Sequence, residues 1–139
     1  MRFTPGFHAP SDPDPHALWF ILNRGKLLVE NRSDACRIPD ASDLANGRIL
    51  INSGLFIGQR GGQHCYAAAL GSHVAVPDGF VFTDLRSLFG SINEDLVWIA
   101  GRANQLVDWD QSHRYCGHCG HPTEDKNDER AKICPQCNC

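Results

Sequence analysis

Five of the seven cysteines in this 139-residue chain lie within its last 24 residues. Four of them form two C-x2-C pairs separated by 14 residues. Each such pair folds into a tight knuckle that presents two thiolates, and a spacer of this length closes a hairpin that brings two knuckles together. Because four thiolates leave no open position for water, the bound metal would be structural. The spacing predicts one structural Zn²⁺ bound by Cys116, Cys119, Cys134 and Cys137.

Disulfides, redox-active thiols and an iron–sulfur cluster are the alternatives for these cysteines. An odd, clustered set argues against a simple disulfide framework, and the turn-rich surroundings differ from the strand and helix that flank a thioredoxin-like pair. Cys139 could substitute as a ligand, but its spacing from Cys137 does not suit a knuckle, so we interpret it as a spare thiol. His118 and His121 could also replace a cysteine.

The knuckles make a conformational prediction as well. A knuckle needs a left-handed backbone position directly after its second cysteine, which glycine adopts most readily and asparagine next. Gly120 holds this position in the first knuckle and Asn138 in the second. Residues 126–132 carry charges of both signs and are predicted to form the solvated tip of the hairpin. Because a zinc ribbon normally continues into another strand, the end of the sequence two residues after Cys137 predicts a truncated ribbon.

A long amphipathic helix is predicted just before the cysteines. Apolar residues recur there at spacings of three and four, which places them in one stripe along a helix. Ser91 and Glu94 match a capping box, in which both side chains satisfy free backbone N–H groups. We expect a helix over residues 92–109 that delivers the chain to the first knuckle. The stripe consists of Leu96, Ile99, Ala100, Ala103, Leu106 and Val107.

Two β-hairpins are predicted upstream of this helix. The apolar segment 18–22 and the segment Lys26-Leu27-Leu28-Val29 flank a tight turn. A second hairpin joins a strand at 49–57 to a return strand at 65–70 through the glycine-rich turn at 58–62. We reject a phosphate-binding loop at this turn, because neither a Lys-Ser/Thr pair nor a helix follows the glycines.

The remaining segments have weaker patterns. Residues 31–47 are polar and turn-rich. The segment from Thr83 is predicted to start a short helix that ends near Gly90. Residues 1–16 contain four prolines and are predicted to be irregular.

These elements predict an α+β protein in which antiparallel β-hairpins pack with C-terminal helices, followed by a small zinc ribbon. We divide the chain into an irregular N-terminal arm (1–16), an α+β domain (17–112) and the ribbon (113–139). The net charge of −3 argues against nucleic-acid binding by bulk charge, because phosphates require a basic face. No signal-peptide pattern is present, and the longest apolar run of six residues, at 17–22, is too short for a membrane span. We therefore expect a cytoplasmic protein with no membrane partner.

Other side chains have simpler explanations than catalysis. Carboxylates at both ends of the predicted helix could form an acid–base pair, but solvated groups at helix ends explain them better. These carboxylates belong to Glu94, Asp95, Asp108 and Asp110. Trp19 and Trp98 are predicted to lie in the core.

The residues around the cysteines resemble those of the NADH pyrophosphatases of the Nudix superfamily. The resemblance is specific from about Leu96 onwards, and before that only the hairpin layout agrees. It is carried by residues 100–110 and 113–120, by Pro122-Thr123 and Glu129-Arg130-Ala131, and by Cys134-Pro135-Gln136-Cys137.

The resemblance implies a fold and an activity. In that family an N-terminal α+β domain and a four-cysteine zinc ribbon precede a catalytic Nudix domain. The resemblance implies zinc ligation by the same four cysteines and a homodimeric full-length protein. Family members hydrolyse NAD(H) to AMP and NMN(H), and some remove NAD caps from RNA.

The family's catalytic glutamates have no counterpart in this sequence. The Nudix signature includes an Arg-Glu-x-x-x-Glu-Glu-type helix whose carboxylates hold Mg²⁺ or Mn²⁺ against the diphosphate. The chain has only Glu30, Glu94, Glu124 and Glu129, and no two lie within four residues of each other. We therefore expect the catalytic domain to be absent and this part of an NAD(H) diphosphatase to be inactive alone. The alternative is a stand-alone zinc-ribbon module that binds a protein or nucleic acid.

Overall fold

The computed structural model describes residues 2–33, 35–51, 53–71 and 73–138, and it has the expected α+β architecture. The main sheet contains β1 (Phe3–Pro5), β2 (Leu18–Asn23), β3 (Lys26–Asn31), β4 (Cys36–Arg37), β5 (Leu55–Arg60), β6 (Gln63–Ala69) and β7 (Phe80–Asp84). The helices are α1 (Ala41–Ala45), a 3₁₀ turn (Leu85–Leu88) and α2 (Glu94–Ser112). A separate two-stranded ribbon consists of β8 (Glu124–Asp125) and β9 (Lys132–Ile133).

The main sheet is mixed, although mainly antiparallel. Its order is β1-β5-β6-β2-β3, and β3 also pairs with β4 and β7. The two predicted hairpins lie side by side, with β6 running parallel to β2. This parallel pair departs from the expected antiparallel arrangement. Short-range patterns predict each hairpin, but the way two hairpins associate depends on contacts remote in sequence.

The first hairpin is confirmed. β2 and β3 pair antiparallel, and both turn residues, Arg24 and Gly25, have positive φ angles of 53° and 79°. Positive φ at both central residues is the signature of the two-residue type I′ turn, whose twist matches that of the flanking strands.

The second hairpin exists, but its predicted boundaries were wrong. β5 begins at Leu55 rather than residue 49 and continues through Gly58, so the turn consists of Gly61 and Gly62. Gly58 lies at a bulge with φ 145°. A Cβ at Gly58 would stand 2.3 Å from the carbonyl oxygen of Thr4, so this glycine permits the close approach of β1.

The N-terminal arm is also more ordered than expected. Phe3–Pro5 pairs with the outer edge of β5, which corrects the prediction that no element forms within residues 1–16. Proline cannot donate a ladder hydrogen bond, but it is tolerated on an edge strand. A three-residue edge strand has no periodicity by which the sequence could reveal it.

Helix boundaries need further corrections. The segment from Thr83 continues β7 before the 3₁₀ turn begins at Leu85. The predicted capping box at Ser91 and Glu94 is wrong, because α2 has Asn93 as its N-cap, without a side-chain cap bond. A capping box does form at α1, between Asp40 and Asp43, in the segment described from the sequence as polar and turn-rich.

Helix α2 covers one face of the sheet with the predicted stripe. Its buried residues are Val97, Ile99, Ala100, Ala103 and Val107, while Leu96 and Leu106 pack at the margin of the core. A second cluster on the other side contains Ile21, Leu28, Ile49, Leu70 and Phe80.

The two tryptophans predicted to lie in the core differ in their burial. Trp19 is half-buried and stacks on Tyr66 with ring centroids 4.8 Å apart. The core prediction for Trp98 was wrong, because 67% of this residue is exposed on the outer side of α2. Within the described residues, no helix is both long enough and apolar enough to cross a membrane.

Candidate metal centre

Three residues separate the end of α2 at Ser112 from Cys116, where the first knuckle begins. The N–H of Thr123 donates to the carbonyl of Arg114 (2.8 Å), which fixes the chain on both sides of the knuckle. Within the knuckle, the N–H of Gly120 donates to the carbonyl of Cys116 (2.8 Å). Gly120 has φ 78°, so the predicted left-handed position is confirmed.

The second knuckle repeats this geometry after the β8–β9 hairpin. The N–H of Asn138 donates to the carbonyl of Cys134 (2.8 Å), and Asn138 has φ 62°. The asparagine therefore adopts the left-handed conformation that the sequence predicted for it. The matching hydrogen bonds give the two knuckles the same tight turn, and each turn directs two thiols inwards.

The structure brings all four paired cysteines together. Their sulfur atoms lie within 4.8 Å of one another, with Sγ–Sγ distances of 3.5 Å for Cys116–Cys137 and 3.4 Å for Cys119–Cys134. These separations exceed the roughly 2 Å of a disulfide bond. Zinc–sulfur bonds of about 2.3 Å in a tetrahedron would separate the sulfurs by about 3.8 Å, so the cluster fits zinc with small adjustments.

Hydrogen bonds from the backbone favour the thiolate form of Cys116 and Cys134, whereas the pKa of the Cys119 thiol is raised. The N–H groups of Cys119 and His118 lower the pKa of the Cys116 thiol to about 6. Burial is the largest single influence on Cys134 and opposes its ionisation, but hydrogen bonds from the backbone N–H groups of Cys137 and Gln136 and from the neighbouring thiols together outweigh it and lower the pKa of this thiol. Because zinc binds thiolates, these oriented N–H groups prepare the cluster for the metal.

Alternative ligands lie outside the cluster. The described part of the chain contains this single group of three or more cysteine, histidine or acidic side chains that could hold a metal ion, and neither His118 nor His121 belongs to it. The backbone N–H of His118 contacts the sulfur of Cys116, and the ring of His121 hydrogen-bonds the carbonyl of Pro122. Cys139 lies outside the described residues.

The ribbon hairpin docks on the α+β domain. The guanidinium of Arg130 donates to the backbone carbonyls of Gly6 and Phe56. Lys132 pairs with Asp110 of α2 (2.7 Å) and with Asp125 of β8 (2.8 Å). The prediction of a solvated tip over residues 126–132 was therefore wrong for these two cations, whose partners are remote in sequence.

Two of the four helix carboxylates form ion pairs with other elements of the fold. Asp95 pairs with Arg60 of β5 (2.5 Å), which lowers the pKa of this carboxyl group. Asp110 pairs with Lys132 of the ribbon. Asp95 and Asp110 thus join elements of the fold. They lie near opposite ends of α2, and this separation does not suit a catalytic pair.

A larger ionic cluster was missed by sequence reasoning. Arg37 makes bidentate hydrogen bonds to the buried carboxylate of Asp43 (3.0 Å each) and a third bond to Glu30 (2.8 Å). Arg48 bridges the same two carboxylates. The hydrogen bonds from Arg37 and Arg48 lower the pKa of Glu30 to about 2. The residues are separated by up to 18 positions, and no motif links them.

Comparison with known proteins adds two family matches. Residues 16–109 match the NADH pyrophosphatase-like rudimentary NUDIX domain, and residues 111–138 match the NADH pyrophosphatase zinc ribbon domain. With the four-cysteine cluster, the second match supports structural zinc.

Curated relatives cover almost the whole chain. The NAD-capped RNA hydrolase NudC of Deinococcus radiodurans is 36% identical over 97% of this chain and 44% of its own length. The proteins of the same name from Stutzerimonas stutzeri and Chromobacterium violaceum are 33% and 27% identical, over 91% and 94% of this chain. The chain spans 45% and 47% of these two relatives, so it covers less than half the length of each of the three.

Proposed function

The chain belongs to the NADH pyrophosphatase family of the Nudix superfamily, and we propose that it forms the non-catalytic front part of an NAD(H) diphosphatase. The observation that carries this proposal is the tandem family match, with a four-thiol cluster in the second matched segment. The names of the relatives support NAD-capped RNA as a further substrate. The parent reaction would split the diphosphate of NAD(H) into AMP and NMN(H).

In this proposal the zinc site is purely structural. Cys116, Cys119, Cys134 and Cys137 hold Zn²⁺, which ties the two knuckles together within a ribbon of residues 113–139. Four thiolates complete the coordination shell, so the metal activates no water. The α+β domain of residues 17–112 and the docked ribbon then form one support for a catalytic domain, and we expect the full-length protein to be a cytoplasmic homodimer.

Catalysis itself is assigned to the part of the relatives that this chain does not match. Diphosphate hydrolysis by Nudix enzymes needs clustered carboxylates that hold Mg²⁺ or Mn²⁺. The four glutamates of this chain are too dispersed to build such a site. We therefore expect the 139-residue chain to have no diphosphatase activity alone.

The test compares the chain alone with a chimaera. The zinc-loaded chain is incubated with NADH and Mg²⁺ or Mn²⁺, and AMP is measured. The same assay is applied to the chain fused to the remaining C-terminal part of the Deinococcus radiodurans relative. We expect no AMP above background from the chain and clear AMP release from the fusion.

Two controls define the outcome. Cys134→Ser in the fusion removes a zinc ligand and should lower activity, whereas Cys36→Ser, outside the cluster, should not. Turnover by the chain alone would refute its inactivity. A folded but inactive fusion would refute the supporting role and favour the stand-alone binding module.

A further inference from the structure

A cavity of about 580 Å³ lies between the C-terminal half of α2, the β2–β3 turn and the end of β6. Its size is typical of small-molecule sites. We propose that this cavity binds a nucleoside monophosphate, with the phosphate held by the lining arginines and the nucleoside contacting the polar face of α2. This proposal does not rest on the diphosphatase assignment, because every group it uses belongs to the described chain and none is a zinc ligand.

The phosphate is assigned to two arginines of the lining that form no ion pair among the described residues. Arg24 of the β2–β3 turn and Arg114, which follows α2, both line the cavity. Neither guanidinium forms an ion pair within the described residues, in contrast to Arg37 and Arg48 of the ionic cluster. Guanidinium groups present several donors in a planar fork that suits phosphate oxygens. The imidazole ring of His73 also lines the cavity and can donate a hydrogen bond.

Helix α2 supplies a different set of polar groups. Asn104, Asp108 and Gln111 stand at spacings of four and three, so they share one helix face, and all three line the cavity. Their side chains have no hydrogen-bond partner among the described residues. The amides can donate and accept, while the carboxylate of Asp108 only accepts. Asp108 therefore disfavours a bare anion and favours a ligand that also carries amino or hydroxyl donors.

The floor of the cavity is apolar. Leu22, Leu70 and Val107 line it, and their side chains are almost wholly buried. Such a surface can contact the face of a base or the carbon skeleton of a ribose. Cationic groups, hydrogen-bonding amides and an apolar floor together match the three chemical parts of a nucleoside monophosphate.

An adjoining cavity of about 320 Å³ provides an internal comparison. It shares Gln111 and Arg114 with the first cavity but extends towards the ribbon, where Asp110, Asp125 and Lys132 complete its lining. The carboxylates of Asp110 and Asp125 share the single cation of Lys132, so these three side chains have a net charge of −1, which disfavours a phosphate. Unused polar groups are concentrated in the first cavity, so the ligand is assigned there.

The experiment titrates the isotope-labelled, zinc-loaded chain with AMP and follows amide signals by NMR. We expect saturable shifts at Gly25 and Asn104 and at the side-chain amide of Gln111. Calorimetry then compares AMP with adenosine and with inorganic phosphate. We expect adenosine and inorganic phosphate each to bind at least tenfold more weakly than AMP.

Two variants remove the proposed phosphate contacts. Arg24→Asn keeps a residue that tolerates the left-handed turn, and Arg114→Gln keeps a polar side chain. We expect each to weaken AMP binding about tenfold. Arg86→Gln makes the same change of charge at an exposed site outside this cavity and should bind AMP like the wild type.

Several results would overturn the proposal. They are an absence of saturable shifts at the cavity with millimolar AMP, unchanged affinity in both variants, and equal affinity for AMP and inorganic phosphate. The shift map of the wild-type chain decides the location even if a variant does not fold.

Discussion

The α+β domain and the zinc ribbon are stabilised in different ways. The α+β domain buries apolar residues on both faces of its sheet. In the ribbon, over described residues 113–138, only Cys116 and Cys134 are buried, and both belong to the proposed zinc site. A segment with so little apolar core needs a metal or disulfides to fold. The contrast predicts that the ribbon depends on Zn²⁺ and on docking, whereas the domain has its own core.

Loss of zinc should have the largest effect and should separate the two regions. Cys134→Ser, or removal of zinc with a chelator, is expected to unfold the ribbon while the sheet and α2 remain. Structural zinc contributes about 10–16 kcal/mol in zinc-finger peptides, far more than the ribbon contacts could replace. Elemental analysis and amide NMR signals from each region would measure the outcome.

The matched control is Cys36→Ser in the α+β domain. Cys36 contacts the side-chain oxygen of Asn31, which a serine at this position can still reach. The variant should therefore retain stoichiometric zinc and the NMR signals of the ribbon. Persistence of the ribbon signals in the metal-free protein would contradict the proposed dependence on zinc.

The ionic cluster should make the α+β domain sensitive to pH without involving the metal. Glu30 has a pKa of about 2 because it accepts hydrogen bonds from Arg37 and Arg48. Since this pKa lies below the unfolded value near 4.5, the stabilisation is complete above pH 4.5 and is lost as the pH falls towards 2. Glu30→Gln should lower the free energy of unfolding by about 2–3 kcal/mol at pH 7.

Denaturant unfolding at several pH values would measure this effect. The difference between wild type and Glu30→Gln should shrink between pH 4.5 and 2. Glu129→Gln is the matched control in the ribbon, where the carboxylate forms one exposed pair with Lys126 and should contribute little. Equal effects of the two substitutions, or an effect of Glu30→Gln that does not change with pH, would contradict the role of the cluster.

A smaller effect is expected where the two regions meet. Arg130→Ala removes the hydrogen bonds from the ribbon to Gly6 and Phe56 and should cost about 1.5 kcal/mol. It should also speed zinc loss to a chelator, because the undocked ribbon opens more often. Stopped-flow chelation and thermal unfolding measure the two effects.

Lys126→Ala is the control for the docking contact. Its side chain also lies in the hairpin, but among the described residues it pairs only with Glu129 of the same hairpin. A chelation rate equal in Arg130→Ala and Lys126→Ala would show that docking does not protect the metal.

The predictable features depended on short-range rules. The knuckle conformations of Gly120 and Asn138 follow from the cysteine spacing, and the turn at Arg24 and Gly25 follows from the apolar residues on either side. The stripe of α2 repeats with the helical period over several turns, so its core-facing side could be read from the sequence.

The missed features depend on contacts between remote segments. β1 forms only because β5 offers an edge, and Gly58 looked like part of a turn because its close neighbour, Thr4, lies far away in the sequence. Arg130 lay in an ordinary run of mixed charge, and its carbonyl partners belong to segments 124 and 74 residues earlier. Side-chain charge alone does not reveal which backbone a cation will contact.

The docking of Arg130 also bears on the order of events during synthesis. Gly6 and Phe56 leave the ribosome long before the ribbon, at a chain elongation rate of about 5–20 residues per second. The sheet can therefore assemble first, while the edge formed by β1 and β5 lacks this contact. The ribbon emerges after the sheet, and on the proposed dependence on zinc it completes that edge once its cysteines have captured a metal. Zinc supply would thus set when the first residues of the chain reach their final packing.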